Sequence, residues 1–231
     1  MSPIAGSRMP YLYLVRHAQP DFTGNYDSVT ALGGEQSAWL GRHFASLGVR
    51  FERLVSGGLV RQRETLRLLR QELVAPAEPQ VDPRFNEYDA ARLLAQFGGG
   101  ADAALRATGD RRAYFTVIRE VLLAWSRQDR AIDGGETWQE FGARIDAGMA
   151  AVCDGLGPDA RVLIVTSGGV IGRFVADVLA AGAEVAVQVN LQTRNTGITE
   201  VARGRSASRL VAFNSVPHLE RPGRTQAITH S

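Results

Sequence analysis

Two stretches of this chain, Tyr11 to Val15 (YLYLV) and Arg161 to Val165 (RVLIV), are apolar almost without interruption and only a few residues long. Side chains on a strand alternate between faces. A run without polar alternation is therefore buried on both sides, as in a parallel sheet covered by helices. Arg53 to Val55 ends another such run, and Gln80 and Val81 mark a weaker one. Helical spacing fills the intervals: Gly33 to Leu47 after Thr30, Leu59 to Leu73, Thr137 to Asp154, and Val170 to Leu179. Strands alternating with helices predict an α/β protein, a three-layer α/β/α sandwich around a mostly parallel sheet. A chain of 231 residues accommodates one such domain with an insertion. Residues 88–133 break the alternation with a Gly98-Gly99-Gly100 hinge and an aromatic, arginine-rich helix from Arg111 to Ser126. They are expected to form a helical cap over the active site. Gly197 to Val201 and Arg209 to Phe213 read as two closing strands.

Composition removes several classes of function. All 26 basic residues are arginine, so a catalytic lysine, Schiff-base chemistry and a P-loop are excluded. The net charge of +2, with arginines scattered along the chain, gives no nucleic-acid-binding face. No apolar run approaches the length of a membrane span, and Met1 to Pro10 lack the apolar core of a signal peptide. The single cysteine, Cys153, permits no internal disulfide and no cysteine-rich metal site, and reads as a packed hydrophobe. A cytoplasmic location is expected.

The polar residues fall at strand ends. Arg16-His17 follows the first strand, Ser56-Gly57-Gly58 with Arg61 one turn later follows the second, Glu87 comes shortly after the third, and Ser167-Gly168-Gly169 follows VLIV. Ligands of open parallel sheets bind at the carboxyl ends of the strands, so these groups are predicted to share one edge. Their chemistry suits phosphate. Helices opened by Ser-Gly-Gly offer free N–H groups and a positive dipole end to an anion. Arg16 and Arg61 can fork onto phosphate oxygens. His17 is a nitrogen nucleophile, and Glu87 supplies a proton-transfer group.

These segments resemble the histidine phosphatase superfamily, also called phosphoglycerate mutase-like. LYLVRHAQP is similar to the "RHG" signature with Ala18 for glycine, and VTALGGEQSAWLGRHF to "LT..G..QA..LG..L". VSGGLVRQRET resembles "SS.L.RA.QTA", and FNEYD resembles "L.E...G". Further along, GGETWQEFGARI, RNTGIT and FNSVPHL resemble "GGES...F..R", "N..IT" and "N...HL". The resemblance implies a phosphatase in which neutral His17 attacks phosphorus while Arg16, Arg61 and the Ser167-Gly168 N–H groups balance charge on the phosphate. It implies that Glu87 protonates the leaving oxygen and then activates water on the phosphohistidine, and that Thr23 adds a hydrogen bond to the phosphate. No cofactor or metal is expected. The expected partner is a small phosphorylated substrate, with neither nucleic acid nor membrane, and a homodimer is left open.

One departure bears on rate. Ser167 stands where the family has its second catalytic histidine, and His218 is the best candidate for a substitute donor. Losing one preorganised donor costs about 10²–10³ in rate. This sets a phospholigand-binding protein without turnover beside the phosphatase reading. A mutase is disfavoured: the run Asn86-Glu87-Tyr88-Asp89 replaces the mutases' Glu-Arg-His-Tyr-Gly and lacks its arginine. A serine hydrolase using Ser167 is disfavoured because Val165 occupies the first glycine position of G-x-S-x-G.

Overall fold

The computed structural model describes residues 9–22, 24–98, 111–128, 133–204 and 208–230, with the Arg111 side chain excepted. Each apolar run is a strand: β1 (Tyr11–Arg16), β2 (Arg53–Ser56), β3 (Pro79–Val81), β4 (Arg161–Thr166), β5 (Ile198–Arg203) and β6 (Ser208–Ser215). They form one sheet of order β3-β2-β4-β1-β5-β6. β1 to β4 run parallel, β5 pairs antiparallel with β1, and β6 pairs antiparallel with β5.

Both faces of the central strands β1, β2 and β4 are buried, while the edge strands β3 and β6 are more open. Leu12, Leu14, Val55, Val162 and Ile164 enter one apolar core, while Val15, Leu54, Leu163 and Val165 enter another on the opposite face. The smaller core is closed by α1 (Ala31–Ser46) and α2 (Val60–Arg70), through Leu40, Phe44, Leu66 and Leu69. The larger is closed by α3 (Ala90–Phe97), α4 (Arg111–Ser126), α5 (Trp138–Cys153), α6 (Gly168–Val178) and α7 (Ala183–Gln192). This is the three-layer α/β sandwich expected from the strand runs.

The helix starts show how local chemistry places these elements. Thr30 caps α1 by accepting from the Gly33 N–H at 3.0 Å. Thr137 and Glu140 cap α5 reciprocally, satisfying the otherwise orphan N–H groups of the first turn. At the critical edge the N-cap side chains take no part, although Gln62 Oε1 accepts from the Leu59 N–H at 3.2 Å at the start of α2. Leu59 and Ser167 precede α2 and α6, and neither side chain makes a cap hydrogen bond. α2 also stops at Arg70, short of the expected Leu73. The glycine hinge lies largely outside the described residues, which include only Gly98 of the three. No helix among the described residues is long and apolar enough to cross a membrane.

Candidate active site

The carboxyl ends of β1, β2 and β4 do bring most of the polar motifs together. Arg16 is the last residue of β1, and the next residue, His17, is 1% exposed. The His17 Nδ1 lies 2.8 Å from the Ala18 carbonyl oxygen, which can only accept, so Nδ1 carries the ring hydrogen. The Nε2 receives a hydrogen bond from Arg61 Nε at 3.2 Å, so it carries the lone pair. Burial, with Arg61 and Arg16 adding to it, holds the imidazole pKa well below its ordinary 6.5. His17 is therefore an oriented imidazole held toward its neutral form, with the Arg61 and Arg16 guanidinium groups near it. The Asn195 side chain fixes its backbone by donating to the His17 carbonyl at 3.1 Å.

The two arginines are held differently. Arg16 donates from one terminal nitrogen to the Thr193 carbonyl at 2.5 Å, while its buried Nε has no hydrogen-bond partner among the described residues. Burial lowers its pKa, opposed mainly by Tyr26 and Glu87. A buried guanidinium N–H left open costs free energy that an incoming anion would recover. Arg61 is bound to Asp27 at 3.0 Å and lies over the Tyr26 ring at 5.0 Å.

Asp27 also fills the start of α2, accepting from the Val60 N–H at 3.1 Å and the Arg61 N–H at 3.2 Å. Asn86 Oδ1 takes the Gly58 N–H. The turn expected to receive a ligand anion thus already holds a carboxylate of the protein. A helix N-terminus attracts negative charge from whichever source is near, and here Asp27 is near. Its place in the Asn25-Tyr26-Asp27-Ser28 turn gives little sign of this in the sequence.

Glu87 plays the matching part at α6. Its Oε2 accepts from the Gly169 N–H at 3.0 Å, while Oε1 accepts from the adjacent Tyr88 N–H at 3.2 Å. Burial raises its pKa despite those bonds and the nearby Arg61 and Arg16. Glu87 is thus more inclined to hold a proton than a solvent-exposed carboxyl group. Gly169 is required for this contact, because a Cβ there would collide with Glu87 Oε1 and the Tyr88 ring.

Ser167 is placed differently. It is fully buried, and its hydroxyl oxygen accepts from Gln62 Nε2 at 2.8 Å. The same amide donates to the Phe85 carbonyl at 3.1 Å. Among the described residues neither Ser167 nor Gly168 lines the cavity at this edge, and neither does His17 itself, whose neighbours Arg16 and Arg61 do. A hydrolase using the Ser167 hydroxyl has no support in this geometry. His218 is also elsewhere: it is tied to Thr196 Oγ1 at 2.9 Å and faces His43, with ring centroids 6.4 Å apart. Burial, reinforced by His43 and Arg224, pushes its pKa down to about 3. Thr23 lies outside the described residues.

Arg16, Arg61, Glu87 and Tyr88 border a cavity of about 420 Å³. Tyr88 and Asn190 close its floor through a 3.0 Å hydrogen bond from Asn190 Nδ2 to the phenol oxygen. Asn190 belongs to α7, whose alternating Val185, Val187, Val189 and Leu191 show no helical period to a reader of the sequence. Among the described residues no cluster of three His, Cys, Asp or Glu could hold a metal ion.

Comparison with known proteins agrees with this geometry. Residues 12–216 match the model of the histidine phosphatase superfamily, branch 1. The "probable phosphoglycerate mutase GpmB" of Salmonella paratyphi B is 27% identical over 206 residues, covering 84% of this chain and 85% of that protein. The solved structure of Bacillus stearothermophilus YhfR superposes with a TM-score of 0.68 at 20% identity, over 91% of this chain and 100% of that one. A phosphoserine phosphatase of Entamoeba histolytica gives 0.64 at 19% identity, over 91% and 100% of the two chains. The structural likenesses, at such identities, are likenesses of fold. The family match spans most of the chain and covers the strand ends that carry Arg16, His17, Arg61 and Glu87, and the protein belongs to the histidine phosphatase superfamily.

Proposed function

We propose that the protein is a phosphatase that hydrolyses a small phosphomonoester through a phosphohistidine on His17. The observation that carries this reading is the state of His17: a buried, neutral imidazole with its lone pair on Nε2, beside Arg61 and Arg16. Its lone pair displaces the leaving oxygen from phosphorus, and the phosphate oxygens are balanced by Arg16 and Arg61. Glu87 gives its proton to the departing alkoxide. It then takes a proton from the water that attacks phosphohistidine, so His17 and Glu87 are both restored as inorganic phosphate leaves. Ser167 and Gly168 act through the N-terminal dipole of α6 rather than by side-chain contact. Thr23 adds a hydrogen bond to the phosphate, and residues 88–133 serve as the cap of a single domain. The direct test is a phosphatase screen over small phosphomonoesters, with His17→Ala as the control. Turnover by wild type alone supports the reading. Equal turnover by both proteins ends it.

A second reading, phospholigand binding without turnover, has one observation in its favour: serine at the position of the second histidine. Gln62 bears on which reading holds. It aligns with the alanine of "RA.QTA", and its amide occupies the space beside the Ser167 hydroxyl. An imidazole introduced at fully buried Ser167 would meet this amide, so Ser167→His alone is expected to lose stability by about 1–3 kcal/mol through overpacking and to gain no rate. Ser167→His with Gln62→Ala makes room. It should exceed the single variant by roughly 10–10² in steady-state rate on nitrophenyl phosphate. A double variant no faster than the single one would show that imidazole has no productive place here.

The pH dependence follows from two displaced groups. His17 must be neutral, and its depressed pKa keeps it so well into the acid range. Glu87 must be protonated, and its raised pKa extends that condition upward. Hydrolysis of an alkyl phosphate should therefore fall as pH rises through the Glu87 pKa, and Glu87→Gln should remove that alkaline limb. A pH–rate profile with the limb intact in the variant would assign it to another group.

A further inference from the structure

The phosphate end of the cavity uses only part of it. Beyond Arg16 and Arg61, the wall is formed by Leu59, Tyr114, Phe115, Ile118 and Leu191, with Ala90 and Ala91 at the start of α3. Tyr114 is 6% exposed and Ile118 is 2% exposed, so this wall is set into the core rather than draped over it. The Tyr114 ring is held edge-on by Phe22 at 5.4 Å and by Phe115 at 5.7 Å. A rigid aromatic and aliphatic wall of this kind gains from burying an apolar group and offers little to a charged one.

The charges around it point the same way. Among the described lining residues the only cations are Arg16 and Arg61, and both are at the phosphate end. The remaining charged lining residues, Glu87 and Asp89, are acidic. Asp89 caps α3 and pairs with Arg92 at 2.9 Å, so that arginine is already engaged. Of the two lining amides, Asn190 spends its Nδ2 on the Tyr88 phenol and Asn86 spends its Oδ1 on the Gly58 N–H, so neither brings a charge to this wall. A carboxylate or second phosphate on the leaving group would be desolvated here with no further cation among the described lining residues to balance it.

We propose that the site takes phosphomonoesters of uncharged, apolar alcohols, with the alcohol an aryl or bulky alkyl group seated against Tyr114, Phe115, Ile118 and Leu191. This rests on the phosphate-site reading above, and names its substrate class. Phosphate esters of hydroxy acids, whose leaving group carries a carboxylate, are correspondingly poor substrates. Phe115 and Leu191, both half-buried, are the specificity-determining residues open to substitution without emptying the core.

Non-hydrolysable phosphonates test this independently of turnover. Calorimetric titration of wild type with benzylphosphonate, methylphosphonate and phosphonoacetate should rank benzyl tightest. It should exceed either other probe at least tenfold, about 1.4 kcal/mol. Phe115→Ala with Leu191→Ala should shrink the benzyl-to-methyl ratio to about threefold or less. Circular dichroism confirms that the variant is folded. If it unfolds, the wild-type ranking alone decides. Phosphonoacetate binding as tightly as benzylphosphonate, or a ratio unmoved in the folded variant, would overturn the apolar-alcohol assignment while leaving the phosphate site standing. Failure of all three probes to bind would remove the phosphate site itself, and this inference with it.

Discussion

His17→Ala is expected to abolish phosphatase activity and to prevent any covalent phosphoryl label on the protein. The loss should be about 10⁴-fold or more, the scale seen when the nucleophile of a covalent mechanism is removed. Two of the three other histidines are already engaged with each other or elsewhere. His43 and His218 face one another away from the cavity, and His218 is committed to Thr196. Arg61 should remain folded over Tyr26 and paired with Asp27 in the variant, so phosphate binding should survive while chemistry does not. Incubation with a phosphorylated substrate, followed by detection of acid-labile phosphate, separates the two. Wild type should carry the label during turnover, and the variant should not. A labelled variant would place the nucleophile elsewhere and dissolve the role given to the Nε2 lone pair.

How far the site could be read from the chain depended on whether each residue's partner was local. Arg16, His17 and Glu87 were legible because they stand at or after strand ends, and a strand end fixes position before any tertiary contact is known. The strands themselves were legible because burial on both faces leaves an unbroken apolar run, as in Leu12–Val15 and Val162–Val165. Asp27 was not legible. Its partners, the α2 N-terminus and Arg61, lie 33 and 34 positions away, and in isolation it looks like an ordinary turn acid. Gln62 was hidden for the same reason: a polar residue on a helix suggests solvent, whereas this one is fully buried against Ser167 and Phe85. α7 was missed because its alternating valines carry the period of a strand. Packing against α6, closely enough that a Cβ on Gly172 would strike the Ala186 carbonyl, accompanies a helical backbone there.

Glu87→Gln should divide substrates by their leaving groups. An alkyl alkoxide is a poor leaving group and needs a proton as the bond to phosphorus breaks, whereas nitrophenolate leaves without one. General acid catalysis contributes about 10²–10⁴, so the variant should lose that much on alkyl phosphates and far less on nitrophenyl phosphate. Glutamine keeps the shape and can still accept from the Gly169 N–H, so the α6 N-terminus should stay in place. It cannot donate an acidic proton, which isolates the chemical role from the structural one. Gly169→Ala approaches the same residue from the opposite side, since its Cβ collides with Glu87 Oε1 and the Tyr88 ring. It should displace the carboxyl group and depress both substrate classes, because Tyr88 also shapes the cavity floor through Asn190. The diagnostic quantity is the ratio of alkyl to nitrophenyl kcat/KM, which should collapse in Glu87→Gln with nitrophenyl turnover largely kept, whereas Gly169→Ala should lower nitrophenyl turnover as well. Proportionate losses on both substrates in Glu87→Gln would show that the carboxyl group holds the site together electrostatically and gives no proton, and the leaving-group proton would then have to come from water.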